Sequence, residues 1–354
     1  VNTETLLTLL SSPSPTGFEI RGQNSWMTEA ARVSDEVDVD AYGNSWATLR
    51  GTEGGPRVMI CAHCDEIGFT VRHISEKGFL AIGPIGGSDV TIARGRRIKI
   101  LGDAGDVTGI IGNTAIHLRK RADDKSPGWE DLFVDIGCST REEVAKRGVR
   151  VGQAAVYEDL PFEFAPGLIC GRAIDNRVGG WILLETLTRL HALPDRHATV
   201  LALNTVQEEI GGNGARMAGF RLKPDFAIVL DVTHATDTPG IDQNQHGDVR
   251  LGKGPALTHG TANHPGIVRR LMEVADQEGI DVQHEASNAR GTSTDTDDIF
   301  WLHSGIPCAL VSTPLRYMHS PVEILATVDA EKTTQLLVSF IRGITDGTAF
   351  NRPG

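Results

Sequence analysis

Four apolar runs in this chain end on, or lead to, ionisable side chains. Arg57-Val58-Met59-Ile60-Cys61-Ala62 runs into His63-Cys64-Asp65-Glu66, and residues 198–206 run into Gln207-Glu208-Glu209. Phe226-Ala227-Ile228-Val229-Leu230 ends at Asp231, and Cys308-Ala309-Leu310-Val311 leads to Arg316-Tyr317-Met318-His319. Short apolar runs of this kind predict buried strands. The segments between them predict helices. One covers 176–190, where Val178, Ile182, Leu183 and Leu187 recur at helical spacing, and another covers 265–279. Strands alternating with helices predict an α/β unit whose mixed, largely parallel sheet is flanked by helices. Ligands of open α/β sheets bind outside the carboxyl ends of the strands. The four charged ends are therefore expected to meet.

The texture changes between Phe69 and Phe162. Phe69-Thr70-Val71-Arg72, Arg97-Ile98-Lys99-Ile100 and Gly109-Ile110-Ile111-Gly112 are short runs separated by Gly, Asp and Ser. That pattern predicts a small, barrel-like β module. One short helix is expected within it over 139–148, capped by Ser139 or Thr140, with Glu142-Glu143 in its first turn. The module interrupts the α/β pattern. The expected division is a discontinuous catalytic unit, 1–68 and 163–354, with a β insertion at 69–162. The chain before it reads as a helix from Thr3, a Ser12-Pro13-Ser14-Pro15-Thr16-Gly17 stop, and then the first buried strand.

Charge narrows the function. Among 354 residues, 46 Asp and Glu outweigh 34 Lys and Arg, a net charge of -12. Such a surface repels phosphate, so no nucleic-acid partner is expected; it favours cation capture. No run reaches the roughly 18 apolar residues of a membrane span, and no basic segment followed by an apolar core opens the chain. Five scattered cysteines form no disulfide framework, so a cytoplasmic location is the expectation.

A fifth ionisable residue, Asp175, stands in Gly171-Arg172-Ala173-Ile174-Asp175-Asn176-Arg177, just before a predicted helix. Two histidines and three or four carboxylates arriving together are the ligands of a two-metal site; imidazole suits zinc or cobalt, and carboxylates bridge. Each residue alone has a plainer reading. A strand-end histidine is often only hydrogen-bonded, Asp175 suits an N-cap, and a Glu pair suits a solvated loop. Three other patterns have plain readings too. Cys61 and Cys64 form a CxxC within a strand run, where residues three apart face opposite ways. The stretch 247–254 nearly matches a phosphate loop but has Gly254 where a hydroxyl is needed. Asp295, Asp297 and Asp298 lack the remaining ligands of a calcium loop and are expected to cap loops or rim a pocket. His259 and His264 are expected at the surface.

Taken in order, several stretches resemble the M42 family of metallo-aminopeptidases. They are Ala62-His63-Cys64-Asp65-Glu66-Ile67-Gly68, Asp175-Asn176-Arg177-Val178-Gly179, Val206-Gln207-Glu208-Glu209-Ile210-Gly211, Asp231-Val232-Thr233, Leu251-Gly252-Lys253-Gly254-Pro255 and 316–323. The resemblance implies a di-zinc exopeptidase-like fold and two divalent metal ions per subunit, zinc or cobalt. By it, Asp175 bridges both ions, His63 and Asp231 complete one site, and Glu209 and His319 complete the other. Glu208 is implied as general base, taking a proton from metal-activated water and passing it to the leaving amine. Asp65 follows His63 by two residues, so on a strand they share a face; that suits a carboxylate orienting the imidazole. The implied substrates are short peptides with a free N-terminus. The implied assembly is a homo-oligomer, a dodecamer built from dimers through the β insertion. A deacylase or carboxypeptidase of the same architecture, or a glycoside hydrolase, are the alternatives. The sequence departs from the family at Cys64, at glycines 211, 212 and 214, and at 291–295, where Thr292 and Ser293 are extra.

Overall fold

The computed structural model describes residues 3–118, 127–193, 196–287, 291–345 and 347–350. Its strands, in chain order, are β1 Glu36–Val39, β2 Ser45–Leu49, β3 Arg57–His63, β4 Gly68–Ile74, β5 Leu80–Ile85, β6 Arg97–Gly102, β7 Gly105–Gly112, β8 Phe133–Asp135, β9 Ala154–Tyr157, β10 Phe162–Ala165, β11 Leu168–Gly171, β12 Thr199–Thr205, β13 Phe226–His234, β14 Ala256–His259, β15 Gln283–Ala286, β16 Cys308–Arg316 and β17 Glu323–Ala326. Eleven of them form one sheet with the order β1-β2-β12-β3-β13-β16-β17-β11-β10, to which β14 and β15 attach beside β16. The central strands β12, β3, β13 and β16 are parallel; β2 and β17 flank them antiparallel, and β1 beyond β2, and β11 and β10 beyond β17, continue the sheet by antiparallel pairing.

Each central strand is buried on both faces, which explains its unbroken apolar run. On β3, Val58, Ile60 and Ala62 face one core and Met59 and Cys61 the other, the two-residue period of a strand. The first core is covered by helices Thr3–Ser11, Ile20–Ala30, Ile174–His191, Pro265–Glu278 and Thr327–Arg342. The second is covered by Asn213–Leu222 and Thr296–Ile299. Helix Ile174–His191 approaches β3 so closely that a Cβ on Gly179 would lie 2.7 Å from that of Ala62. Among the described residues no helix is long and apolar enough to cross a membrane.

Strands β4 to β9 close into a separate antiparallel barrel. Its interior holds Phe69, Val71, Ile82, Ile98, Ile100, Val134 and Tyr157. Phe69 and Tyr157 meet edge to face, 5.1 Å between centroids. Burying such a Phe removes enough apolar surface to contribute about 1.5–3 kcal/mol. The short helix expected over 139–148 is Arg141–Lys146, with Thr140 as the cap, its hydroxyl accepting from the Glu143 N–H at 3.2 Å.

Two strands extend beyond their apolar runs. β13 continues through Asp231 to His234, and β16 continues through Val311 to Arg316. They pair with each other from Ala227–Cys308 to His234–Leu315, which keeps both extended. β13 leaves β3 earlier, after the Val229–Cys61 pair. A crevice therefore opens at the carboxyl ends of β3 and β13. It is also where the chain reverses direction across the sheet, since β12 lies on one side of β3 and β13 on the other. Ligand sites of open α/β sheets sit at such a point.

Candidate metal centre

His63 is the last residue of β3, and Asp231 lies beside it on the diverging β13. Asp175 arrives from the start of helix Ile174–His191, where Asp175 and Asn176 have non-helical backbone angles. The capping role falls to its neighbour. Asn176 Oδ1 accepts from the Gly179 N–H at 3.0 Å, and its amide donates to the Leu230 carbonyl at 2.8 Å. Asp175 is thereby left to face the crevice. Glu208 and Glu209 follow β12, with their N–H groups donating to Asp65 Oδ1 at 3.0 Å and Oδ2 at 3.1 Å. His319 lies in the turn after β16, at a left-handed φ of 61°.

The seven sequence-predicted residues converge. His63 Nε2 is 3.1 Å from Asp175 Oδ1, 3.6 Å from Asp231 Oδ1 and 3.8 Å from Glu208 Oε2. His319 Nε2 is 3.4 Å from Asp175 Oδ2 and 3.3 Å from Glu209 Oε2. Two groups result that could each hold a metal ion, with ligand atoms within 4.8 Å of one another: His63, Asp175 and Asp231, then Asp175, Glu209 and His319. Asp175 belongs to both through different oxygens.

Asp65 lies beside His63, as the sequence expects, and makes further contacts. His63 Nδ1 lies closer to the Asp65 main-chain oxygen, 3.1 Å, than to its carboxylate, 3.5 Å. The Asp65 carboxylate is occupied by the Glu208 and Glu209 N–H groups and by the Thr16 hydroxyl, 2.8 Å away. It anchors the Glu pair as much as the imidazole.

The electrostatics are those of a site short of positive charge. Burial pushes Glu209 up to about 7, and it pushes Glu208 well above the carboxylate range. Burial opposes protonation of His63, but Asp175, Asp231 and Asp65 together outweigh it and raise His63 well above its ordinary value. His319 is pushed up to about 11 by Asp175 and Glu209. Asp175, though buried, is lowered by the two histidines. Glu209 Oε1 is buried without a hydrogen-bond partner. An unpartnered buried carboxylate oxygen costs several kcal/mol unless a cation meets it, so the donor set fits a divalent ion better than it fits itself.

Several supporting residues carried no individual signal. Glu323 Oε1 accepts from the His319 N–H at 2.9 Å, and its Oε2 accepts from the Asp175 N–H at 3.1 Å. The Thr294 hydroxyl donates to Asp231 Oδ2. Asp295 is buried, accepts from the Thr205 hydroxyl at 2.7 Å, and is pushed up to about 7 by burial. Glu323 and Thr294 lie within segments the family resemblance picks out, which was their only mark; Asp295 was marked besides as part of the calcium-loop look-alike, and it is buried and not at a rim.

The remaining motifs find other uses. The N–H groups of Gly252 and Gly254, in the phosphate-loop look-alike, both donate to the buried Asp329 carboxylate at 2.7 Å. Cys61 faces Asp295 and Cys64 faces Ser14, and both thiols are free. Asp297 accepts from the Thr292 and Ser293 N–H groups, and Asp298 pairs with Arg216. His259 is exposed beside His284, while His264 caps helix Pro265–Glu278.

Residues 43–336 match the M42 glutamyl aminopeptidase family. A lysyl aminopeptidase of Pyrococcus furiosus is 32% identical over 341 residues, covering 95% of each chain. The TET aminopeptidase of a marine-sediment Thaumarchaeota archaeon superimposes with a TM-score of 0.92 at 30% identity, covering 97% of this chain and 96% of that one. The TET1 peptidase of Pyrococcus horikoshii, described as assembling into a tetrahedron or a large octahedral shell, gives a TM-score of 0.85 at 29% identity, covering 97% and 99%. With a family match over most of its length and relatives that align or superimpose along nearly all of it, the chain belongs to the M42 family and is an aminopeptidase.

Proposed function

We propose that the chain releases N-terminal residues from short peptides at a di-metal centre. The observation that carries this reading is Asp175, which offers one oxygen to each ligand group, together with the unpartnered Glu209 Oε1. His63, Asp175 and Asp231 would hold one ion, and Asp175, Glu209 and His319 the other, with zinc or cobalt favoured by the imidazole and carboxylate donors. When bound, such a pair supplies an acidified water and a polarised scissile carbonyl.

The chain's own residues do the rest. Glu208 stands 3.8 Å from His63 Nε2 and belongs to neither ligand group. Its main chain is fixed by Asp65, and burial raises its carboxyl. A raised carboxyl both accepts a proton from water and holds it long enough to deliver it to the leaving amine. Asp65 holds the Glu pair in place, and Glu323 holds the backbones of Asp175 and His319. The chain's net charge of -12 favours the approach of a cationic α-amine, which suits an exopeptidase.

The same reading assigns 1–68 and 163–354 to the catalytic unit and 69–162 to a subunit-contact module. It takes the assembly as a dodecamer built from dimers, acting in the cytoplasm. Elemental analysis of the purified chain, followed by assay on matched free and N-acetylated peptides, tests the chemistry. Two ions per subunit are expected, with cleavage lost on acetylation and on chelation. Equal cleavage of the acetylated peptide would point to a deacylase or another di-metal hydrolase instead.

A further inference from the structure

We infer that the barrel itself positions His319: Gly87, in the turn after β5, is a positioning residue for the second metal group. The inference rests on the di-metal reading above and deepens it. The turn Gly86-Gly87-Ser88 leaves β5 at Ile85 and runs against two of the proposed ligands. A Cβ placed on Gly87 would lie 2.5 Å from His319 Nδ1 and 2.8 Å from its Cε1. A Cβ on Gly86 would lie 3.2 Å from the Glu209 Cβ. His319 thus has Asp175 and Glu209 at its Nε2 edge and bare barrel backbone at its Nδ1 edge.

Turn geometry does not account for both glycines. Gly86 has a φ of +61°, the left-handed region that favours glycine. Gly87 lies outside that region, so its backbone accommodates alanine. What a side chain at 87 meets is the imidazole ring. The turn is fixed to the barrel, because the Ser88 hydroxyl shares its one proton between the Gly68 carbonyl at 2.9 Å and the Ile85 carbonyl at 3.2 Å. Gly68 opens β4 five residues after His63. The barrel wall is therefore registered to one ligand through the chain and to another by contact. His319 needs such a wall. Its side chain is 34% exposed, against 2% for His63, and it stands in a turn and not on a strand.

The test is Gly87→Ala, measured for zinc content and for affinity at each site by competition with a chelating dye. The added methyl displaces the ring, so content should fall from two ions per subunit to one, and second-site affinity should fall at least tenfold. His319→Ala alone should also retain one ion. The double variant should match His319→Ala and lose nothing more, since the two changes act through one contact. Thermal midpoints of the metal-free proteins give a second measurement. The double variant should unfold at a higher temperature than Gly87→Ala, because the ring that the methyl strikes is gone. Two ions bound to Gly87→Ala with unchanged affinity would overturn the inference, as would a double variant less stable than both single ones. A native chain that binds no zinc would overturn the di-metal reading, and the metal-free midpoints would still judge the Gly87–His319 contact.

Discussion

At the scale of single residues, Glu208 and Glu209 are neighbours with unlike surroundings. Glu209 has an oxygen 3.3 Å from His319 and another with no partner, whereas Glu208 faces His63 from outside both ligand groups. Glu209→Gln should lower metal content along with activity. Glu208→Gln keeps size and removes the proposed proton acceptor, so metal content should hold while turnover falls by about 10²–10⁴. Elemental analysis and kinetics on both purified variants check this; a loss of metal in Glu208→Gln with both ions kept in Glu209→Gln would mean the roles are exchanged. Glu323 offers a subtler case, since it contacts the site only through main-chain N–H groups. Glu323→Gln leaves one of them facing an amide NH₂. An unsatisfied buried donor costs about 1–3 kcal/mol. The expected result is weaker metal binding with every ligand side chain intact, read by zinc titration.

At the scale of elements, the loop 247–254 and helix Thr327–Arg342 act as one unit. Asp329, in the first turn of that helix, accepts from Gly252 and Gly254. The glycine spacing that resembles a phosphate loop is thus filled by an internal carboxylate. Burial pushes Asp329 from its ordinary 3.8 up to about 6, against the pull of the two N–H groups. The folded value is the higher one, so this group's contribution is fully present below about 3.8 and is lost as pH rises through about 6. Asp329→Asn keeps the shape but has one acceptor too few, and its amide does not titrate. The stability deficit of the variant should therefore shrink between pH 5 and pH 7, as followed by chemical denaturation; a deficit that grows would show the ionised form to be the stabilised one. Legibility in the sequence followed the same physics. β3, β12 and β13 were readable because burial on both faces demands unbroken apolar runs. β14 and β15 were not, because each is four residues long; β14 carries Thr258 and His259, and β15 carries Gln283, His284 and Glu285, so the pairing of β14 with β16 and of β15 with β14 makes them strands. Helix Thr327–Arg342 was hidden by Thr327, Thr333 and Thr334, residues of modest helix propensity; Thr333 and Thr334 are buried by tertiary packing. The proposed ligands, at or beyond strand ends, were visible by position. Glu323 and Thr294, which act on ligands from behind, had no pattern of their own.

At the scale of the whole molecule, charge and exposed apolar surface pull in opposite directions. Each chain carries a net charge of -12, so copies repel at long range. Yet Phe162 and Phe164 are 55% and 47% exposed on β10, an outermost strand of the large sheet. Leu160 just before them is 65% exposed, and Ile110 and Phe133 are exposed on the barrel. An open sheet edge bearing aromatic side chains is a surface that chains cover by association. Assembly driven by apolar contact against like-charge repulsion should strengthen when salt screens the repulsion. The Debye length falls from about 30 Å at about 0.01 M to about 3 Å at about 1 M. Sedimentation across that range should move the chain toward its largest species as salt rises. Phe162→Lys with Phe164→Glu should shift it toward smaller species at every salt concentration, with each subunit still cleaving a small aminoacyl reporter, since neither residue lies in the crevice. Dissociation by added salt would mean that ion pairs, and not these side chains, hold the copies together. A chain that sediments as a monomer at micromolar concentration throughout would remove the closed particle from the account and leave the metal centre untouched.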